Sequence, residues 1–167
     1  MGRVVGWDEL AEVVRRARAG GKRVVLTNGC FDLLHVGHVR GLRAARAHGD
    51  LLVVGVNSDD SVRRLKGAGR PLVSEDERAE VLAAVEPVDF VVIFDEPTAE
   101  RLVLVVKPDV YAKGSDYAGT GAALDAARLP EASVVAAHGG KTVLVPLVSG
   151  RSTTGLVERI KAGIEPA

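Results

Sequence analysis

The stretch Arg23-Val24-Val25-Leu26-Thr27-Asn28-Gly29-Cys30-Phe31-Asp32-Leu33-Leu34-His35-Val36-Gly37-His38 decides the reading of this chain. Its opening run, Arg23 to Leu26, is short, apolar and rich in Val, as suits a strand buried on both faces of a parallel sheet. It passes through a turn bearing Gly29 and enters a helix that opens with His35-x-Gly37-His38 and continues through the Ala/Arg-rich Val39 to His48. No Lys-Ser/Thr follows a Gly at Walker A spacing, and no G-x-G-x-x-G is present in the turn. A helix N-terminus offers unpaired N–H groups and a partial positive charge. Two imidazoles three residues apart at that end lie close enough to donate to one phosphate. Gly37 between them removes a side chain and lets a nucleotide approach the backbone. Two surface histidines at a helix start are the plainer alternative. A zinc site is disfavoured, because no third ligand stands at evident spacing and His48 and His138 lie in other segments.

Working outward, Val-rich runs recur at Leu51 to Val56, Phe90 to Phe94, Val110 to Ala112 and Thr142 to Val145. Helix-patterned segments lie around them. Trp7 to Arg18 spaces Leu10, Val13, Val14 and Ala17 at helical intervals. Glu75 to Val85 follows Ser74, with Glu77 three residues later as in a capping box. Thr98 to Val106 follows Pro97, and Thr154 to Ile164 closes the chain. The alternation predicts an α/β fold, a doubly wound sheet of about five parallel strands with right-handed crossovers. Ligands bind such sheets at the carboxyl ends of the strands, where strand order switches. Two connections, Lys66 to Ser74 and Gly114 to Gly121, read as long, mobile loops.

Composition narrows the class. The chain has 167 residues, so one domain is expected and a core needs no disulfides. One Cys excludes a disulfide framework. Lys plus Arg (22) balance Asp plus Glu (22), against a general nucleic-acid binder. No apolar run approaches a membrane span, and the N-terminus lacks a signal-peptide pattern, so a cytoplasmic location is expected. A second anion signal follows the last strand, where Ser152 or Thr153 can cap the final helix. Alone it reads as an ordinary helix cap. Together with the histidine helix it forms a cradle for a polyphosphate.

Asn28 to His38 (NGCFDLLHVGH) together with Arg151 to Thr154 (RSTT) resembles the cytidylyltransferase-like nucleotidyltransferases. The resemblance is closest to the D-glycero-β-D-manno-heptose 1-phosphate adenylyltransferase family. It is carried by TNGCFDLLHVGH, GDLLVVGVNSDDSVRRLKGAGRP, Glu77-Arg78, VDFVVIFDEPTAERL, KPDVYAKGSDY and HGGKTVLVPLVSGRSTTGLVERI, covering nearly all of Gly21 to Ile160. It implies a Rossmann-like nucleotidyltransferase fold, with residues 1–20 as an N-terminal helical extension and 21–167 as the nucleotidyltransferase domain. It implies transfer of AMP from ATP to the heptose 1-phosphate, giving ADP-heptose and pyrophosphate by in-line displacement. Mg²⁺ accompanies ATP, with no metal ligands assigned to the protein. A homodimer and a separate heptose 7-phosphate kinase in the same pathway are further implications. Ser115 departs from the family, where a second Gly is expected.

The roles that follow are these. His35, His38 and Lys66 are the catalytic candidates, donating to the phosphates. Thr27, Asn28, Gly29, Cys30, Phe31 and Gly37 line the nucleotide approach. Lys113, Gly114 and Asp116 lie against the base or sugar, and Arg151, Ser152, Thr153 and Thr154 hold the outer phosphates. Asp32, Asn57, Asp59, Arg70 and Arg78 are the acceptor-binding candidates. Arg78 otherwise reads as an exposed helix residue, Lys66 as a solvated loop lysine and Asp59 as a helix cap. Rival readings are a cytidylyltransferase acting on glycerol 3-phosphate and a non-catalytic nucleotide sensor.

Overall fold

A computed structural model describes residues 1–115, 129–146, 148 and 152–163. The strands are β1 (Arg3–Val4), β2 (Val24–Gly29), β3 (Leu51–Asn57), β4 (Phe90–Phe94), β5 (Val110–Gly114) and β6 (Lys141–Val145). The helices are α1 (Trp7–Ala19), α2 (Val36–Arg46), α3 (Asp59–Lys66), α4 (Glu75–Ala83), α5 (Glu100–Val106), α6 (Glu131–Ala137) and α7 (Thr153–Lys161). All strand pairings are parallel, in the order β1-β4-β3-β2-β5-β6. The doubly wound parallel sheet is therefore present, with six strands rather than about five. The additional strand is two residues long and sits on the edge beside β4. Two residues carry no usable period, so the sequence does not announce it. It belongs to the segment read as a helical extension. That segment adds β1 to the sheet and packs α1 on one face of it, where Leu10, Val14 and Ala17 are buried in the core.

The alternation of side chains along a strand sorts the Val-rich runs into two cores. Val24, Leu26, Val53, Phe94 and Tyr111 face α1, α5 and α6. Val25, Leu52, Val54, Val56, Val91 and Ala112 face α2 and α4. Both faces are covered, which is why the strands read as continuous apolar runs. Gly55 lies inside β3 opposite Asn28. A Cβ there would stand 2.4 Å from Leu102 Cδ2 and 3.2 Å from Asn28 Cβ, so only glycine lets α5 seat this closely. Three aspartates fix the sheet's lower edge. Asp50, Asp89 and Asp109 each precede a strand by one residue, and each accepts the N–H of a neighbouring strand's start. The donors are Arg23, Leu52 and Val24, at 2.7–2.8 Å.

The order places the topological switch between β2 and β5. The chain runs from β2 through β3 to β4 on one side, then returns to lay β5 against the other edge of β2. The register there pairs Val25 with Val110 and Leu26 with Tyr111. Both strands continue past those pairs to Gly29 and Gly114, and a cleft of about 620 Å³ opens at their carboxyl ends. The 66–74 connection, read as mobile, is tied down: Leu72 and Val73 donate their N–H groups to Asp32 Oδ1 at 2.8 and 3.1 Å.

Candidate active site

The turn after β2 builds one wall of the cleft. Phe31 takes a left-handed backbone (φ 47°), a conformation costly for a non-glycine residue and held only by its surroundings. The holding group is Arg78. Its side chain is fully buried and its guanidinium donates three ways, to the Val73 carbonyl (2.9 Å), the Cys30 carbonyl (2.5 Å) and Asp59 Oδ1 (2.7 Å). Arg78 is thus neither exposed nor on the cleft wall. It brackets the turn to α3 and α4 from beneath. Asp59 points to Arg78, and its own N–H donates to Glu75 Oε2 at 2.6 Å, while Ser58 is the helix cap. Arg70 is also drawn inward, its Nε 2.6 Å from Asp32 Oδ2. The acceptor-binding candidates therefore divide. Asp32 and Asn57 reach the cleft, whereas Asp59, Arg70 and Arg78 form the frame behind it.

The two histidines cap their own helix. His35 Nδ1 accepts the Gly37 N–H at 3.1 Å, and His38 Nδ1 accepts the His35 N–H at 3.3 Å. Each neutral ring therefore carries its hydrogen on Nε2. The rings stack with centroids 3.9 Å apart, and Phe31 lies 5.4 Å from the His38 ring. Burial pushes His38 down to about 4, reinforced by His35 and by Lys66. At neutral pH it is an uncharged hydrogen-bond donor. Such a donor does not repel its stacked neighbour, and a phosphate arriving beside it favours the protonated form. His38 and Gly37 line the cleft; His35 stands behind them.

Lys66 ends α3 and lines the cleft, followed by Gly67 at φ 93°. Lys113 is buried on β5, its Nζ 3.2 Å from Asn28 Oδ1 and 3.3 Å from the Asn28 carbonyl. Tyr111 donates to the same Oδ1 at 2.5 Å, so Asn28 is clamped across the switch point. Thr27, Gly29, Cys30, Phe31 and Gly114 line the cleft beside them. Asn57 donates to Ser61 Oγ at 3.0 Å and faces the cleft from β3. At the far end Ser152 caps α7, accepting the Gly155 N–H at 3.0 Å. Thr153 donates to the Leu33 carbonyl at 3.2 Å and lines the cleft, while Thr154 follows within the first turn. That bond docks the α7 N-terminus onto the histidine turn. Asp116 and Arg151 lie outside the described residues.

Sequence reasoning missed the wall facing the histidines. It consists of Pro97, Thr98 and Ala99 before α5 and Leu129, Pro130 and Glu131 at the start of α6. Pro97 before Thr98 signalled the helix start of one half, though not its place in the cleft, and α6 is too short to show a period. Among the described residues no group of three His, Cys, Asp or Glu is placed to hold a metal.

A carboxyl-end cleft at a switch point, donors on a histidine helix and a second helix start docked beside it make a site suited to the phosphates of a nucleotide. Comparison with known proteins agrees. The model for cytidylyltransferase-like proteins matches residues 26–130, and the chain belongs to that family. It is 54% identical over 156 residues to the bifunctional protein HldE of Geotalea uraniireducens, and 52% identical over 157 residues to the protein of that name from Koribacter versatilis. These matches cover 93% and 94% of this chain but 30% and 31% of the relatives, so the chain spans about a third of their length. Among solved structures, the lipopolysaccharide core biosynthesis protein of Thermoplasma volcanium superposes with a TM-score of 0.60 at 29% identity. It covers 77% of this chain and 98% of that one. No helix among the described residues is long and apolar enough to cross a membrane.

Proposed function

We propose that this protein transfers AMP from ATP to D-glycero-β-D-manno-heptose 1-phosphate, releasing pyrophosphate and forming ADP-heptose. The observation that carries the reading is the joining of the His35–His38 helix start to the α7 start through Thr153 and Leu33, which makes one phosphate cradle of two. The extensive likeness to HldE proteins supports the sugar phosphate as acceptor.

The chemistry follows from charge. A phosphate oxygen of the acceptor attacks the α-phosphorus of ATP in line. A new P–O bond forms, the bond to the β-phosphate oxygen breaks, and pyrophosphate leaves with that electron pair. The acceptor phosphate has a second pKa of about 6, so it is already a nucleophile near pH 7 and no general base is required. The protein must bring two anions together and stabilise the charge that develops. His38 Nε2–H and Lys66 serve the α-phosphate, and the first turn of α7 with Ser152 and Thr153 serves the β- and γ-phosphates. Asn28 and Lys113 hold the nucleoside end of the switch point. Magnesium arrives with ATP as part of the substrate. The protein works in the cytoplasm, where nucleotide and sugar phosphates are made. It acts as a homodimer beside a heptose 7-phosphate kinase of the same pathway.

The test is pyrophosphate release with ATP, CTP, GTP or UTP, each against heptose 1-phosphate, glycerol 3-phosphate or no acceptor. Release confined to ATP with heptose 1-phosphate is expected, and His38→Ala should lower kcat roughly 100- to 1000-fold in that pair. Release with CTP and glycerol 3-phosphate instead would overturn the substrate assignment.

A further inference from the structure

Among the described residues two carboxylates line the cleft, Asp32 and Glu131. Asp32 has a counter-charge: two backbone N–H groups bond Oδ1 and the Arg70 guanidinium stands 2.6 Å from Oδ2. Glu131 has none among the described residues. It is 6% exposed, and its side chain makes one hydrogen bond, Oε1 accepting the Ala99 N–H at 2.8 Å. No Lys, Arg or His among the described residues pairs with it. A carboxylate offers about four acceptor positions. Holding one away from water without a counter-charge is costly, and capping a helix start needs only a neutral oxygen. Its spare acceptor capacity lies at the wall of the cleft.

Its neighbours define what fits. Pro97, Thr98, Ala99, Leu129 and Pro130 surround it with apolar surface and one hydroxyl, and Thr98 Oγ1 already donates to Glu100 Oε2 at 2.8 Å. Both groups therefore present acceptors. A phosphate is repelled there, whereas an uncharged group rich in O–H donors is not. The acceptor's phosphate has to reach the α-phosphate that His38 and Lys66 serve, which leaves its organic part to meet this wall. We propose that Glu131 is a specificity-determining residue, accepting hydrogen bonds from hydroxyls of the acceptor sugar, with Thr98 as a second acceptor. The inference rests on the sugar-phosphate reading above.

The experiment compares the whole chain with Glu131→Gln, which keeps an oxygen for the Ala99 N–H but replaces the charged acceptor with an amide. Steady-state kinetics with heptose 1-phosphate should show its KM raised roughly tenfold or more, with the KM for ATP and the melting temperature unchanged. Thr98→Val, which leaves Glu131 and the Ala99 N–H in place and removes only the hydroxyl that meets Glu100, should move the same KM in the same direction. A Glu131→Gln protein with unchanged constants overturns the inference and leaves Glu131 as a helix cap. A raised KM for ATP also overturns it, placing the residue against the nucleotide. If the wild type uses glycerol 3-phosphate and not the sugar, the functional reading fails first. Glu131→Gln is then assayed with glycerol 3-phosphate, and an unchanged KM there refutes Glu131 as a hydroxyl reader independently.

Discussion

His38 shows how one side chain couples folding to chemistry. Burial holds it at about 4, against about 6.5 for an unperturbed imidazole. Between those values the unfolded chain takes a proton that the folded protein refuses. Stability therefore falls as pH drops from about 6.5 towards 4 and is unaffected by this group above 6.5. His38→Gln, which cannot titrate, should lose less melting temperature than the wild type between pH 7 and pH 5. Parallel losses in thermal melts of both proteins would contradict the buried neutral imidazole. The histidine pair was legible in the sequence because H-x-G-H is local and its spacing fixes the geometry. Arg78 was not, since an arginine in a Glu-rich helix reads as solvated and nothing local announces the carbonyls of Cys30 and Val73 that bury it.

At the scale of elements, the frame behind the cleft is a bracket joining the β2–α2 turn, the start of α3 and the start of α4. Arg78 is its centre, so Arg78→Ala leaves two carbonyls and Asp59 without their donor. Breaking a buried pair costs about 3–5 kcal/mol, which for a chain of this size lowers the melting temperature by about 10 °C. Melting curves should show that loss. A stable Arg78→Ala protein with only a raised acceptor KM would return Arg78 to the phosphate. Strands β2 to β6 and most helices were readable from Val-rich runs and helical spacing. β1, α3 and α6 were not: β1 has two residues, and α3 and α6 are helices of eight and seven residues, too short to show a period, with Lys66 ending α3 instead of opening a loop. The tie between the 66–74 connection and Asp32 is likewise non-local, bridging 40 positions in sequence.

For the whole molecule, the order β1-β4-β3-β2-β5-β6 turns two helix starts far apart in sequence into one cradle. His35 and Thr153 are separated by most of the chain, yet both sit at the carboxyl edge beside the switch point. The strand alternation foretold the edge, but the wall carrying Glu131 emerges only once α5 and α6 pack together. The central claim is that the acceptor's phosphate oxygen attacks the α-phosphorus of ATP and becomes the bridge. Heptose 1-phosphate labelled with ¹⁸O throughout its phosphate, incubated with ATP and the protein, tests this by mass spectrometry of both products. The account predicts ADP-heptose carrying the full label and pyrophosphate carrying none. Labelled pyrophosphate, or AMP released without any ADP-heptose, would contradict it.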